Sequence, residues 1–284
     1  MTKVFKLLFG TALGVIMASS AIAGETFDRL KAGETLYIGF ANEAPYAYRN
    51  PAGDIEGVVY EVGKAVFEKI GVTKFDGVIV KFGSLIPGLT ANRFDVVVAG
   101  MAIRPDRCDQ IAFSEPDMMF GDTLLVPVGN PKGIHSFNDV ISSGAKLAVL
   151  QGGAASKDVR TIGIPEGQIN EFPGFAETVG ALKAGRVDAT MMTVTAAAKT
   201  VKEDGGVSFE VANPFETMVL NGKPNVHFSG FGFRTDDADL VDAFNKAFLE
   251  FRGSPEHVAI LEKYGLSAHE LPPADVTTAS LCAK

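Results

Sequence analysis

The sequence predicts an α/β protein built as two lobes, and three observations support this. Short β-branched segments alternate with amphipathic ones along most of the chain. The pattern Leu-x-Ala-x-Arg-x-Asp occurs twice, and two Pro/Gly-rich crossings bracket the middle of the chain. Strands alternating with helices imply a mostly parallel sheet flanked by helices on both faces in each lobe. A chain of 284 residues is long enough for two separate cores.

The first segment lies outside that fold. Lys3 and Lys6 precede an apolar run, Leu7 to Ser20, as long as a signal-peptide core, and Ala21-Ile22-Ala23 fits the small-x-small rule for cleavage before Gly24. The run falls short of the roughly 20 residues that span a bilayer. Residues 1–23 therefore read as a signal peptide, cleaved after Ala23 to leave a periplasmic chain of 261 residues. Cleavage removes two lysines and no acids, so the formal charge moves from −8 to −10. An acidic exported chain with no basic patch excludes nucleic acid as the expected partner.

The mature elements follow in order. "TLYIGF" (35–40) is a strand. "VVYEVGKAVFEKIG" (58–71) places Val59, Val62, Val66 and Ile70 at helical spacing and closes on Gly71. "GVIVKF" (77–82) is a strand, "SLIPGLTANR" (84–93) a helix and "DVVVAG" (95–100) a buried strand. Further on come the strand "KLAVL" (146–150), a helix near 175–184 and the strand "DATMMTV" (188–194). The repeat aligns Leu89 with Leu182, Ala91 with Ala184, Arg93 with Arg186 and Asp95 with Asp188. These charges sit at helix–strand turns, where solvation or capping accounts for them without a ligand.

"LLVPVGNPKG" (124–133) leaves an apolar strand for Pro/Gly-rich sequence, and "NGKPNVHFSGFGF" (221–233) returns the same way. The crossings assign 24–127 and 227–284 to lobe 1 and 128–226 to lobe 2. Helical segments 239–253 and 255–265 then pack back on lobe 1. In an oxidising compartment the only two cysteines, Cys108 and Cys282, read as a bridge, with two free thiols the alternative. That bridge would need the same return of the C-terminus to lobe 1.

Three stretches carry a resemblance: "NEAPYAY" after the first strand, Gly57 before the helix at 58, and "AGMAIRPDRCDQIAFSEP" (99–116). Over essentially the whole mature chain the sequence resembles the family-3 extracytoplasmic solute-binding proteins of ABC importers. Within them, "ANEAPY", "GSLIPGL", "RPDRC" and the tail "LCAK" are similar to the ectoine/hydroxyectoine binders. The resemblance implies the type II periplasmic-binding-protein fold, a hinge between the lobes, and a monomer that delivers a small ligand to the permease subunits at the membrane.

It also implies a site. Family members use the arginine matching Arg107 for a bidentate salt bridge to a ligand carboxylate, a planar fork meeting a planar pair of oxygens. Arg104, three residues earlier, reads as a solvated surface charge. Amino-acid binders carry a hydroxyl where this chain has Ala102, and an aspartate for the α-ammonium where it has Thr193. Burying a primary ammonium without a carboxylate costs several kcal/mol. A delocalised or alkylated cation desolvates more easily and can rest on ring faces, at about 0.5–2 kcal/mol per ring. Tyr46 and Phe82 match two aromatic walls of the ectoine binders, and Glu43 matches their acidic residue.

The expected ligand is thus a compact zwitterion such as ectoine or hydroxyectoine, with a polar amino acid or betaine-like solute as the alternative. Gly100 and Ala102 lie in the signature at the cleft. Ala102 stands where the ectoine binders have a third ring, so Phe120, Tyr48 and Phe231 are candidates to replace it. Gly153 and Ala154, in "VLQGGAAS", can offer backbone N–H groups from lobe 2. His135, His227, His257 and His269 lack metal spacing, and no P-loop or Ser-His-Asp pattern occurs. No cofactor, metal or catalytic residue is expected. A few members of the fold are cyclodehydratases, a reading that would need Glu43 as general acid.

Overall fold

The computed structural model describes residues 25–220 and 222–284, so the expected signal peptide, residues 1–23, lies outside the described residues. One hydrogen-bonded sheet runs through the molecule in the order Phe75–Ile79, Leu36–Phe40, Val96–Ala102, Val226–Phe233, Met118–Pro127, Ala189–Thr193, Leu147–Leu150, Ile169–Phe172. The outer three strands on each side pair in parallel. The centre is antiparallel.

The expected parallel sheet therefore holds for the flanks and fails at the centre. Met118–Pro127 carries the chain out of the first lobe and Val226–Phe233 carries it back, so the two must run in opposite directions. Met118–Gly121 pairs with Val226–Ser229, whereas Asp122–Pro127 pairs with the second lobe's strands. The fold is thus a two-lobe α/β structure whose lobes share a pair of crossing strands.

Local sequence explains the elements around the junction. The helix Val58–Lys69 buries Val59, Val62 and Val66 as their spacing predicts, and ends before Gly71, whose φ is +89°. It packs on the helices Ala238–Phe251 and Pro255–Lys263, which return to the first lobe. Phe67, Phe231, Phe233, Phe244 and Phe248 fill the space between them. The second lobe has its own core, built from Leu124, Val126, Leu147, Val149, Val159 and Met191.

Three elements depart from the sequence expectation. A helix, Glu25–Lys31, precedes the first strand. The strand expected at 77–82 runs Phe75–Ile79, and Phe82 instead opens a 3₁₀ turn, Phe82–Ser84, leading into the helix Leu85–Thr90. Pairing with Leu36–Phe40 sets that strand's register, which local apolar content cannot reveal. Cys108 and Cys282 form the disulfide, with Cα atoms 5.7 Å apart, and it holds the C-terminal helix Thr278–Cys282 against Pro105–Cys108.

Candidate functional site

The junction of the lobes holds a partly open pocket of about 50 Å³. That is room for three to five waters, or roughly 100–150 Å³ of displaced liquid, which suits a compact solute.

Arg107 is the charge at its floor. The short helix Pro105–Cys108 starts on Pro105, a residue suited to a first helical position, and turns Arg107 inward. Its side chain is buried; Nη1 donates to Ala102 O at 2.7 Å and Nη2 to Gly152 O, across the junction, at 2.9 Å. Desolvation, with Arg104 adding to it, lowers its pKa to about 10, so it stays a cation at neutral pH. A guanidinium has five N–H donors, so donors remain for a ligand.

Glu43 faces the same space and is 6% exposed. Its Oε1 has no hydrogen-bond partner, while the Phe175 N–H supports the carboxyl from the second lobe. Desolvation pushes its pKa up to about 8, against the opposing pulls of Phe175 and Lys81. An unpaired buried carboxyl aimed into a cavity is costly unless something completes it.

Tyr46 and Phe82 line the pocket, with Arg107's guanidinium carbon 5.7 Å from the Phe82 ring centroid. Tyr46 donates from its hydroxyl to Thr193 Oγ1 at 2.5 Å, joining the lobes. Thr193 also caps the helix Val194–Asp204 by accepting from Ala196 N. Gly100, at φ +59°, lets the Tyr46 ring lie on the strand: a Cβ there would sit 2.8 Å from Tyr46 Cδ1. Ala102 lines the wall and gives its carbonyl to Arg107.

The helix Ala154–Thr161 points its N-terminus at the pocket. The Gly153 N–H already donates to Leu150 O at 3.0 Å, so Gly153 serves as the cap rather than a ligand donor. Ala154 and Ala155 carry the first-turn N–H groups, which have no intrahelical acceptor.

Of the three rings weighed against Ala102, only Phe120 lines the pocket, 6.2 Å from Tyr46 between ring centroids. Tyr48 does not line the pocket and instead has Lys199 Nζ 5.5 Å from its ring centroid. Phe231 is fully buried against Phe244 and Gly63, because its strand position faces the first lobe's core. Arg104 also corrects the sequence expectation: it is no solvated charge, since its Nη1 meets Asp158 Oδ1 at 2.8 Å.

Sequence reasoning missed Phe175, Asp122 and His227, all of which line the pocket. Asp122 is the direct ladder neighbour of Thr193, so a carboxylate absent at 193 enters from the adjacent strand. His227 Nε2 lies 2.8 Å from Asp122 Oδ2. Only strand register could have revealed this pair.

A two-lobe α/β chain with a polar and aromatic pocket at the lobe junction has the architecture of a solute-binding protein. The chain belongs to the bacterial extracellular solute-binding proteins, family 3, whose family model matches residues 36–267. It is 37% identical to the probable amino-acid ABC transporter periplasmic-binding protein y4tE of Sinorhizobium fredii over 274 residues, covering 95% of this chain and 90% of that one. It is 29% identical to the lysine/arginine/ornithine-binding periplasmic protein of Escherichia coli, covering 81% and 87%. Among solved structures it is similar to EhuB in complex with hydroxyectoine, with a TM-score of 0.81 and 28% identity, covering 92% and 98%.

Proposed function

We propose that this chain captures a compact zwitterion of the ectoine/hydroxyectoine kind in the periplasm and delivers it to ABC permease subunits. One observation carries the reading: the buried carboxyl of Glu43, whose Oε1 has no partner, shares an aromatic-walled pocket with the buried Arg107 guanidinium. Arg107 receives the ligand carboxylate, joined by the N–H groups of Ala154 and Ala155. Glu43 receives the cation, with Tyr46, Phe82, Phe120 and Phe175 as walls. The similarity to EhuB supports this assignment. The chain acts as a binding protein rather than an enzyme, in keeping with its transport relatives. Export with cleavage after Ala23 completes the reading.

Asp122 favours a second reading. It supplies a carboxylate beside Thr193, where a free α-ammonium of an ordinary amino acid could dock. Its pairing with His227 weighs against that use.

Calorimetry with ectoine, glycine betaine, proline and glutamine separates the two. Ectoine should bind best, and Phe82→Ala should weaken it by about 1–2 kcal/mol for the lost ring contact, plus lost packing. Tight glutamine binding that is abolished by Asp122→Asn and untouched by Phe82→Ala would replace the first reading with the second.

A further inference from the structure

Several ion pairs cross the lobe junction, and one differs from the rest. Lys81–Glu177 at 2.7 Å and Lys157–Asp106 at 3.3 Å are both well exposed, where such pairs contribute little. Arg104–Asp158, at 2.8 Å, joins side chains that are 21% and 3% exposed. Arg104 precedes the first lobe's helix Pro105–Cys108, and Asp158 lies on the second lobe's helix Ala154–Thr161.

Asp158 gathers more than Arg104. Asn225 Nδ2 donates to its Oδ2 at 3.2 Å, and His227 Nε2 lies 3.5 Å from the same oxygen. That ring nitrogen is also 2.8 Å from Asp122 Oδ2, and Asp122 and His227 both line the pocket. A continuous polar path therefore runs from the pocket wall, through one imidazole, to the ion pair between the lobes.

We propose that Arg104 and Asp158 form a closure latch: they are positioning residues that hold the lobes shut over bound solute and touch the pocket only through His227 and Asp122. Parting the lobes must break this pair, because its members sit on opposite sides of the junction. Asn225, on the second lobe's side of the crossing, donates to Asp158 independently of Arg104, so opening need not strand that carboxylate without a partner. The latch can cycle. Breaking one such pair in the closed state leaves a desolvated charge, so its removal acts on the closed form rather than on the open one. Affinity differences of this origin appear in the dissociation rate.

The test uses the full mature protein with its disulfide intact. Arg104→Gln and Asp158→Asn are compared with wild type by stopped-flow binding of ectoine and by melting temperature with and without it. The dissociation rate should rise about tenfold in either variant, the association rate should stay within about twofold, and the double variant should be no worse than either single one. The ligand-free melting temperature should not move. A second measurement needs no ligand: Lys81→Cys with Glu177→Cys, bridged by a bifunctional maleimide, reports spontaneous closure. Arg104→Gln should slow that bridging several-fold. If wild type fails to bind ectoine while bridging still depends on Arg104, the latch stands and only the solute assignment falls. Unchanged dissociation and bridging rates, or an equal loss of melting temperature with and without ectoine, would overturn the latch.

Discussion

In the first lobe, the Asp95 carboxylate accepts the Tyr37 N–H at 2.9 Å, and its own N–H donates to Tyr37 O at 2.8 Å. In the second lobe, Asp188 makes the same exchange with Lys146, both bonds at 2.8 Å. The repeated Leu-x-Ala-x-Arg-x-Asp pattern is therefore one local solution used twice, tying the start of each lobe's middle strand to the next. The pocket shows the opposite. The first lobe supplies Glu43, Tyr46, Phe82 and Arg107, while the second supplies a helix N-terminus, Thr193 and the ring of Phe175. Scaffold is duplicated and chemistry is not. With the charged groups on one lobe, an open protein can engage both ends of a zwitterion first and let the other lobe seal it.

The sharpest way to break that comparison is to remove one donor from each side. Arg107→Ala should cost about 2–5 kcal/mol of solute binding, since the ligand carboxylate then stays desolvated without its cation. Ala154→Pro removes a single second-lobe N–H at a first helical position that tolerates proline, and Gly153 already has the extended backbone proline requires of its predecessor. It should cost about 0.5–1.5 kcal/mol. Calorimetry on both variants checks the ratio. Equal losses would mean that the second lobe binds as strongly as the first.

Glu43 extends the contrast to pH. Hydrated, a glutamate titrates near 4.5, whereas burial between the lobes pushes Glu43 up to about 8. A closed form without a cation beside Glu43 therefore binds a proton that a form with Glu43 hydrated releases. Its advantage is fully present below about 4.5 and is lost as pH rises through about 8, by up to about tenfold per unit between. Near neutrality an empty pocket should thus resist closing until a cation replaces the proton. Small-angle scattering of ligand-free protein should show compaction from pH 8 to pH 5. Glu43→Gln should abolish that dependence; compaction that persists in this variant would assign it to another group.

These cases also mark what the sequence disclosed. The lobes and the repeat were legible because apolar periodicity and turn grammar encode them, and the disulfide partners because the chain has only two cysteines. Glu43, Tyr46, Phe82 and Arg107 were named from the family resemblance, and all four line one pocket. Asp122 and His227 were not legible, since they meet through the pairing of Met118–Pro127 with Val226–Phe233 and Ala189–Thr193. Arg104 was misread for a related reason. Its partner Asp158 is 54 residues away, on the second lobe's helix Ala154–Thr161, so nothing local in the sequence points to the pair. Phe231 could be weighed only as one of three candidate rings because strand alternation gives two faces without saying which one meets the cleft.

The smallest effects belong to the repeated aspartates, and they differ in an informative way. Asparagine at either position keeps an acceptor oxygen for the strand N–H and loses only the charge. Asp95 meets Arg29 at 2.7 Å and Arg234 at 3.5 Å, with side chains 11% exposed for Asp95 and Arg234. Removing that carboxylate takes the shared acid from two guanidiniums and leaves Arg234 with Asp237 at 2.8 Å and Arg29 with the exposed Glu34 at 3.6 Å, so Asp95→Asn should cost about 1–2 kcal/mol of folding stability. Among the described residues Asp188 forms an ion pair only with Lys132, at 2.9 Å, and both side chains are substantially hydrated, at 41% for the lysine and 28% for the acid. Asp188→Asn should cost less than about 1 kcal/mol, in the range of exposed pairs. Urea unfolding of the two variants measures the difference directly, and added salt should narrow it little, because the Asp95 cluster is shielded from solvent. Equal losses would mean that the shared hydrogen-bond exchange, rather than the ion pairs around it, sets the worth of this repeat in both lobes.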